Sequence, residues 1–258
     1  MRQQLKLFLT AVQFFTRITV PSWVGHKTPE LNQSARYLPL VGLFVGGISA
    51  LVMGVSSLFL TAPVSLLFGM LASILLTGGF HEDGLSDFVD GIGGGYTREK
   101  ILSIMKDSRV GVFGAIAIVF VLMIKFQLLL AIISYHSIIF AGVALIAAHS
   151  ISRMLAISIM LTQVYVRVDD SARAKPVALG LSRTSFVIAL LTGISSVGLL
   201  FLAGSRVESI LSAVFCALLL RIYLGRLMHQ KIGGYTGDCL GAVQQITEIG
   251  FYTGLIIA

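Results

Sequence analysis

Residues 110–133 read VGVFGAIAIVFVLMIKFQLLLAII, twenty-four residues with Lys125 as their one charge. About 20 apolar residues in helical form cross the hydrocarbon core of a bilayer. Backbone polar groups in that core must be satisfied within the segment, so the run predicts a transmembrane helix. Six further apolar runs lie at 38–60, 62–79, 138–161, 185–203, 207–228 and 240–258. Composition agrees: 56% of the 258 residues are apolar and 12% charged, where a soluble domain carries roughly 25% charged residues. Mean hydropathy is +0.91. The expected fold is all-α, a polytopic integral membrane helical bundle with about seven transmembrane helices, forming one domain over 1–258.

Ahead of the first span, Leu5, Phe8, Leu9, Val12 and Phe15 recur at helical spacing. Residues 3–18 therefore suit an N-terminal interfacial helix, with an extra core helix as the alternative. Arg2 and Lys6 before Leu7-Phe8-Leu9 resemble the start of a secretory signal, but Gln13, Arg17 and Pro21 follow in place of a small-residue cleavage site.

Basic residues set the orientation. Arg2, Lys6, Arg17, Lys27 and Arg36 precede the first span, and Arg98, Lys100, Lys106 and Arg109 separate the second from the third. Arg167, Arg173, Lys175 and Arg183 separate the fourth from the fifth, and Arg226 and Lys231 close the sixth. The intervening connections carry only Arg206, so the positive-inside rule turns the loops at about 80–109, 161–184 and 229–239 to the cytoplasm. A net charge of +7 spread beside spans, without one basic face interleaved with aromatics, excludes nucleic acid and points to lipid and phosphate-bearing partners. Cys216 and Cys239 give no disulfide framework and no metal spacing. A homo-oligomer is compatible with such a chain.

Between Gly79 and Arg109 the sequence turns acidic, with Glu82, Asp83, Asp87, Asp90, Glu99 and Asp107 supplying six of its twelve carboxylates. If 82–90 is helical, Asp83, Asp87 and Asp90 stand at i, i+4 and i+7 on one face, with Glu82 about a quarter-turn away. Hard oxygen donors so arranged suit Mg²⁺, which retains waters and substrate phosphates in its shell; the bland reading is a solvated acidic loop. Gly91, Gly93, Gly94 and Gly95 would let backbone amides approach a phosphate. A helix beginning at Thr97 closes with Lys106-Asp107-Ser108-Arg109, whose cations would face developing phosphate charge. A second polar island, Gly233-Gly234-Tyr235-Thr236-Gly237-Asp238-Cys239, opens the last span; Asp238 there is a helix cap, a functional group, or both. Within the spans, Lys125, His149, Arg153 and Arg221 require explanation. Arg153 beside Ser150 and Ser152 suits a phosphate grip, and Lys125 suits snorkelling to the outer interface. Gly42 and Gly46 form a GxxxG that would let helices approach.

Residues 81–91, Gly93-Gly94-Gly95, Ile104-Met105-Lys106-Asp107-Ser108-Arg109-Val110-Gly111 and Gly233-Gly234-Tyr235-Thr236-Gly237-Asp238 together resemble the cobalamin-5′-phosphate synthase (adenosylcobinamide-GDP ribazoletransferase) family. Gln13-Phe14-Phe15-Thr16-Arg17 and Ser152-Arg153 extend the resemblance over the whole chain. That family usually shows a non-acidic residue where Glu82 stands and Ala where Ser86 stands, which ranks Glu82 below Asp83, Asp87 and Asp90 as a ligand. The resemblance implies a Mg²⁺-dependent transferase of the inner membrane that joins adenosylcobinamide-GDP to α-ribazole or its 5′-phosphate and releases GMP. It implies a metal shell from Asp83, Asp87, Asp90 and Glu82 and a base in Asp107 or Asp238. Substrate contacts would come from Lys106, Arg109, Arg153, Gly93 and Gly94. Asp87-Phe88-Val89-Asp90-Gly91 also opens the CDP-alcohol phosphotransferase pattern, but its Ala-Arg and later aspartate pair are missing. An aspartate-rich prenyltransferase is a further rival. A cation-coupled transporter would carry its acids at mid-span.

Overall fold

The computed structural model describes residues 2–24, 28–166 and 180–257. These form α1 (Arg2–Phe15), α2 (Thr28–Ser34), α3 (Leu38–Ser56), α4 (Ala62–Thr77), α5 (Phe80–Gly94), α6 (Arg98–Met105), α7 (Val112–Tyr135), α8 (Ile138–Thr162), α9 (Arg183–Leu202), α10 (Val207–Ile232) and α11 (Gly237–Ile257). Each of the seven apolar runs is helical. His26, Lys27, Arg167, Arg173 and Lys175, and most of the loop expected at 161–184, lie outside the described residues.

Five helical segments among the described residues are long and apolar enough to cross a membrane, and six if α4 and α5, bent by 84° at their junction, count as one span. The expected count of seven is thus reduced, for two reasons. α4 has 16 residues, about 24 Å at 1.5 Å per residue, short of a hydrocarbon core of about 30 Å. α11 carries Asp238, Gln244, Gln245 and Glu248, which leave it less apolar than the five segments that qualify.

α8 is the central post, with every side chain from Ala147 to Met160 buried. α3 lies against it where Gly42 and Gly46 remove side chains: a Cβ on Gly46 would come within 2.7 Å of the Ile146 Cα. On the outer surface α7 exposes Phe113, Ile116, Val119, Phe120 and Met123, and α10 exposes Leu211 and Phe215, an apolar skin that suits lipid tails. α1 buries Leu7, Ala11, Val12 and Phe15 and leaves Leu5 exposed. Its Lys6 Nζ donates to Glu30 at 2.7 Å, and the Arg17 N–H just past its end donates to the Leu76 carbonyl at 2.8 Å.

The polar connections converge on one end of the bundle. Arg17 meets the end of α4, and Asp90 of α5 receives the N–H groups that start α7. Beyond α8, Tyr165 pairs with Tyr235 ahead of α11, through Val166 N–H to Tyr235 and Tyr235 N–H to Val164, both 3.0 Å. The corner that turns α5 across this end is made by Gly78 (φ 69°) and Gly79 (φ 70°), conformations that cost an L side chain about 1–2 kcal/mol. A Cβ on Gly79 would meet open space, as would one on Gly47 in α3, so the two isolate backbone from sterics. Gly79→Ala should therefore lower stability in a detergent thermal-unfolding series by about 1–2 kcal/mol, whereas Gly47→Ala, at an ordinary helical φ, should lose nothing.

Candidate active site at the polar end of the bundle

The acidic stretch is helical, so Asp83, Asp87 and Asp90 share a stripe of α5 as their spacing predicts. Along that stripe burial rises from exposed Asp83 through half-buried Asp87 to buried Asp90. Asp83 lines a cleft of about 640 Å³ together with Arg17, Gln13, Thr16, Phe80 and Ser86. Asp90 is structural, since its Oδ2 accepts from Gly111 N–H at 2.7 Å and its Oδ1 from Gly114 N–H at 2.8 Å. A carboxylate there satisfies donors that α7 cannot pair internally and complements its positive end. Glu82 faces the other way, where its Oε1 accepts from Gln245 Nε2 at 2.9 Å.

The second polar island packs directly on this helix. A Cβ on Gly84 would lie 3.0 Å from the Asp238 carbonyl oxygen, and one on Gly241 would lie 3.2 Å from the Gly84 Cα. α5 and α11 thus touch backbone to backbone, and Asp238, half-buried in the first turn of α11, joins the end of the bundle that holds Asp83. The Thr236 hydroxyl donates to Asp238 Oδ2 at 3.3 Å.

α6 forms as its sequence predicts, with the Thr97 hydroxyl accepting the Lys100 N–H at its start. Just beyond its end, Asp107 is clasped by Arg109, whose Nε lies 3.0 Å from Oδ1 and whose terminal nitrogen lies 2.5 Å from Oδ2. Hydrogen bonds from the Arg109 side chain, then from its backbone N–H, hold the Asp107 carboxyl down to about 2. So clasped, a carboxylate is a weak base, which argues against Asp107 as the proton acceptor. Arg109 and Lys106 are exposed at the same corner.

The glycine run departs from expectation. Gly91, Gly93 and Gly94 belong to the last turn of α5, so their N–H groups face along a helix rather than forming a loop cradle. What requires their size is packing: a Cβ on Gly93 would lie 2.9 Å from the Phe113 ring, and one on Gly91 2.7 Å from Met105 Cγ. The N–H groups displayed at a helix C-terminal turn are already spent, so phosphate capture by Gly93 and Gly94 has no backbone donor behind it.

Arg153 and Lys125 also differ from expectation. Arg153 is buried inside the bundle, its Nη1 donating to the His149 carbonyl at 3.0 Å. It lines a small interior cavity with Glu82, Lys125, His149, Gln244, Gln245 and Glu248. Lys125 points inward rather than snorkelling, 2.6 Å from Gln245 Oε1 and 3.3 Å from Glu248 Oε1. Gln244 Nε2 donates to Glu248 Oε2 at 2.5 Å and to Ser152 Oγ at 3.1 Å, and the Tyr252 hydroxyl donates to Glu248 Oε1 at 3.1 Å. Lys125 pairs with Glu248 there, while Arg153 Nε, His149 Nδ1 and Glu82 Oε2 have no hydrogen-bond partner among the described residues. The cation lining the cleft with Asp83 is Arg17, marked in the sequence only by its place in Gln13-Phe14-Phe15-Thr16-Arg17.

Among the described residues no group of three or more His, Cys, Asp or Glu side chains converges as a metal cage. Asp83 and Asp87 stand one turn apart on α5 with Asp83 open to the cleft, a spacing that would fit Mg²⁺ held by one or two carboxylates together with substrate phosphates.

These assignments separate two aspartates of the same stripe. Asp90→Asn keeps one acceptor oxygen but turns an NH₂ toward the other of the two buried N–H donors, and should lower stability by about 1–3 kcal/mol. Asp83→Asn, exposed on the same helix, should leave the unfolding midpoint unchanged. Thermal unfolding of the two variants side by side checks both.

The comparisons with known proteins bear on what this arrangement serves. The chain is 45% identical over 255 residues to the adenosylcobinamide-GDP ribazoletransferase of Shewanella sp. (strain W3-18-1), covering 99% of this chain and 95% of the relative. It is 45% identical over 256 residues to the enzyme of the same name from Shewanella woodyi, covering 99% and 97%. Against the Shewanella oneidensis protein of that name it is 44% identical over 261 residues, covering 99% and 95%. No solved structure matches the chain. The family model for CobS, cobalamin-5-phosphate synthase, matches residues 7–256, from within α1 to the last turn of α11, and the chain belongs to that family.

Proposed function

We propose that this protein is a Mg²⁺-dependent transferase that joins adenosylcobinamide-GDP to α-ribazole, or to its 5′-phosphate, and releases GMP. The cleft would open at the cytoplasmic face of the cell inner membrane, where the positive-inside rule turns the basic connections. The observation that carries the reading is the crossing at Gly84 and Gly241, which brings Asp238 to the end of the bundle where Asp83 faces the cleft. Its substrates are those named for the relatives of near-equal length.

In the transfer, a ribose hydroxyl oxygen forms a bond to the phosphorus that carries the cobinamide. The bond from that phosphorus to the bridging oxygen breaks, GMP leaves with the electron pair, and the hydroxyl proton passes to a base. Asp83 and Asp87 would hold the Mg²⁺, which when bound neutralises part of the diphosphate charge. Arg17, which lines the cleft, and Lys106 and Arg109, just before its wall residue Val110, would spread the remainder. Asp238 is the better base, because Asp107 is occupied in fixing the Arg109 guanidinium and is a positioning residue.

Purified protein given adenosylcobinamide-GDP, α-ribazole and Mg²⁺ should release GMP in step with the joined product; no release, where a relative works, contradicts the reading. Asp83→Asn should abolish turnover in folded protein, and full activity would remove Asp83 from the metal shell. Asp238→Asn should lower kcat by roughly 10²–10⁴-fold, the range of a lost general base. Asp107→Asn should instead raise the KM for the nucleotide donor while kcat is largely retained.

A further inference from the structure

Beside the cleft lies a second cavity, of about 200 Å³, between α1, α5, α8 and α11. Its walls are aromatic and apolar, from Phe14, Phe15, Phe80, Met160 and Tyr165, with His81 reaching in among them. Phe80 stands edge-on to both Phe14 and Phe15, with centroids at 5.6 and 5.8 Å and planes at 74° and 86°. Such walls offer ring edges and faces to a flat π-system. An apolar cavity of about 150 Å³ is enough for benzene, and this one is larger.

Two observations connect the cavity with the proposed reaction. His81 is 4% exposed, and its Nε2 has no hydrogen-bond partner among the described residues. A buried polar atom without a partner in native structure calls for a ligand or an ordered water. Phe14 and Phe80 also line the Asp83 cleft, and Gly237, Leu240 and Gly241 of the cavity bracket Asp238 in sequence. The two spaces share a wall: one is mainly apolar with the imidazole as its hydrogen-bonding group, the other polar and charged. A nucleoside has the same division.

We propose that this cavity receives the flat aromatic base of the riboside nucleophile, with His81 Nε2 against its unsubstituted ring nitrogen and the ribose emerging past Phe80 toward Asp83 and Asp238. This rests on the transferase reading above for the identity of the riboside, whose base is a benzimidazole. The cavity then sets acceptor specificity: it favours an apolar bicycle with one ring acceptor, and disfavours bases whose exocyclic polar groups would face Phe15 and Met160 unpaired.

The test uses the full chain in detergent, with free benzimidazole as a binding probe that needs no catalysis. Wild-type protein should bind benzimidazole at least about tenfold more tightly than indene, which has its shape without ring nitrogens; equal binding overturns the role of His81. Ala156 and Met160 line the cavity, so Ala156→Leu and Met160→Phe should each abolish benzimidazole binding and raise the riboside KM about tenfold or more. The KM for adenosylcobinamide-GDP should stay unchanged, which also reports a folded protein. Unaltered benzimidazole binding and riboside KM in both variants would overturn the proposal while leaving the transferase reading intact. Benzimidazole binding by wild type that transfers nothing to α-ribazole would sustain the cavity's ligand class and remove the transferase reading instead.

Discussion

A side chain at Gly84 would press on the Asp238 backbone, and one at Gly241 on Gly84 itself. α5 and α11, more than 140 residues apart in sequence by those two numbers, therefore meet with no side chain between them. The position of the acidic stripe relative to the closing polar island depends on that contact. The paired left-handed glycines at 78 and 79 supply the other half, because they turn α5 by 84° from α4 and lay it across the end of the bundle. With α5 so laid, the same helix offers Asp83 to the cleft, Asp90 to the start of α7 and Glu82 to the interior.

The interior network holds that placement from below. Glu82 of α5 is tied through Gln245 to Lys125 of α7, and Glu248 meets Lys125, His149 and the Gln244 amide. Removing one member of such a buried set leaves an unpaired charge, a loss of about 3–5 kcal/mol in comparable buried pairs. The network fixes α5 against α7, α8 and α11 at depth, while the glycine crossing fixes it at the surface. A helix held at both levels fixes Asp83 and Asp87 at the end of the bundle where α11 begins, the kind of fixed geometry on which the proposed transfer would depend.

Much of this is legible in the chain because the bilayer sets a length scale. Seven apolar runs announce seven helices, and the i, i+4, i+7 spacing of Asp83, Asp87 and Asp90 announces one face. The Gly42 and Gly46 pair likewise foretells the approach of α3 to α8. What local pattern cannot supply is direction toward a distant partner. Lys125 looks like a snorkelling lysine until Gln245 and Glu248 are placed beside it, and Asp90 looks like a ligand until Gly111 and Gly114 turn their N–H groups toward it. Gly93 and Gly94 read as a phosphate loop because glycine marks both loops and close packing, and only Phe113 and Ile104 decide between them. The run at 240–258 likewise reads as a span until Gln244, Gln245 and Glu248 within it are seen to serve the interior.

The central claim is that the carboxylates of α5 hold a divalent ion at the end of the bundle where α7 begins. Mn²⁺ in place of Mg²⁺ makes that claim measurable as a distance to nitroxide labels, in a background without Cys216 and Cys239. Labels at Tyr96 and Tyr135, 99% and 72% exposed, mark the two ends; α7 between them has 24 residues, about 36 Å at 1.5 Å per residue. Bound Mn²⁺ should lie near the label at 96 and farther than about 30 Å from the label at 135, with both signals lost in Asp83→Asn. A Mn²⁺ closer to 135, or no Mn²⁺ held at all by protein with the donor nucleotide present, would contradict the claim.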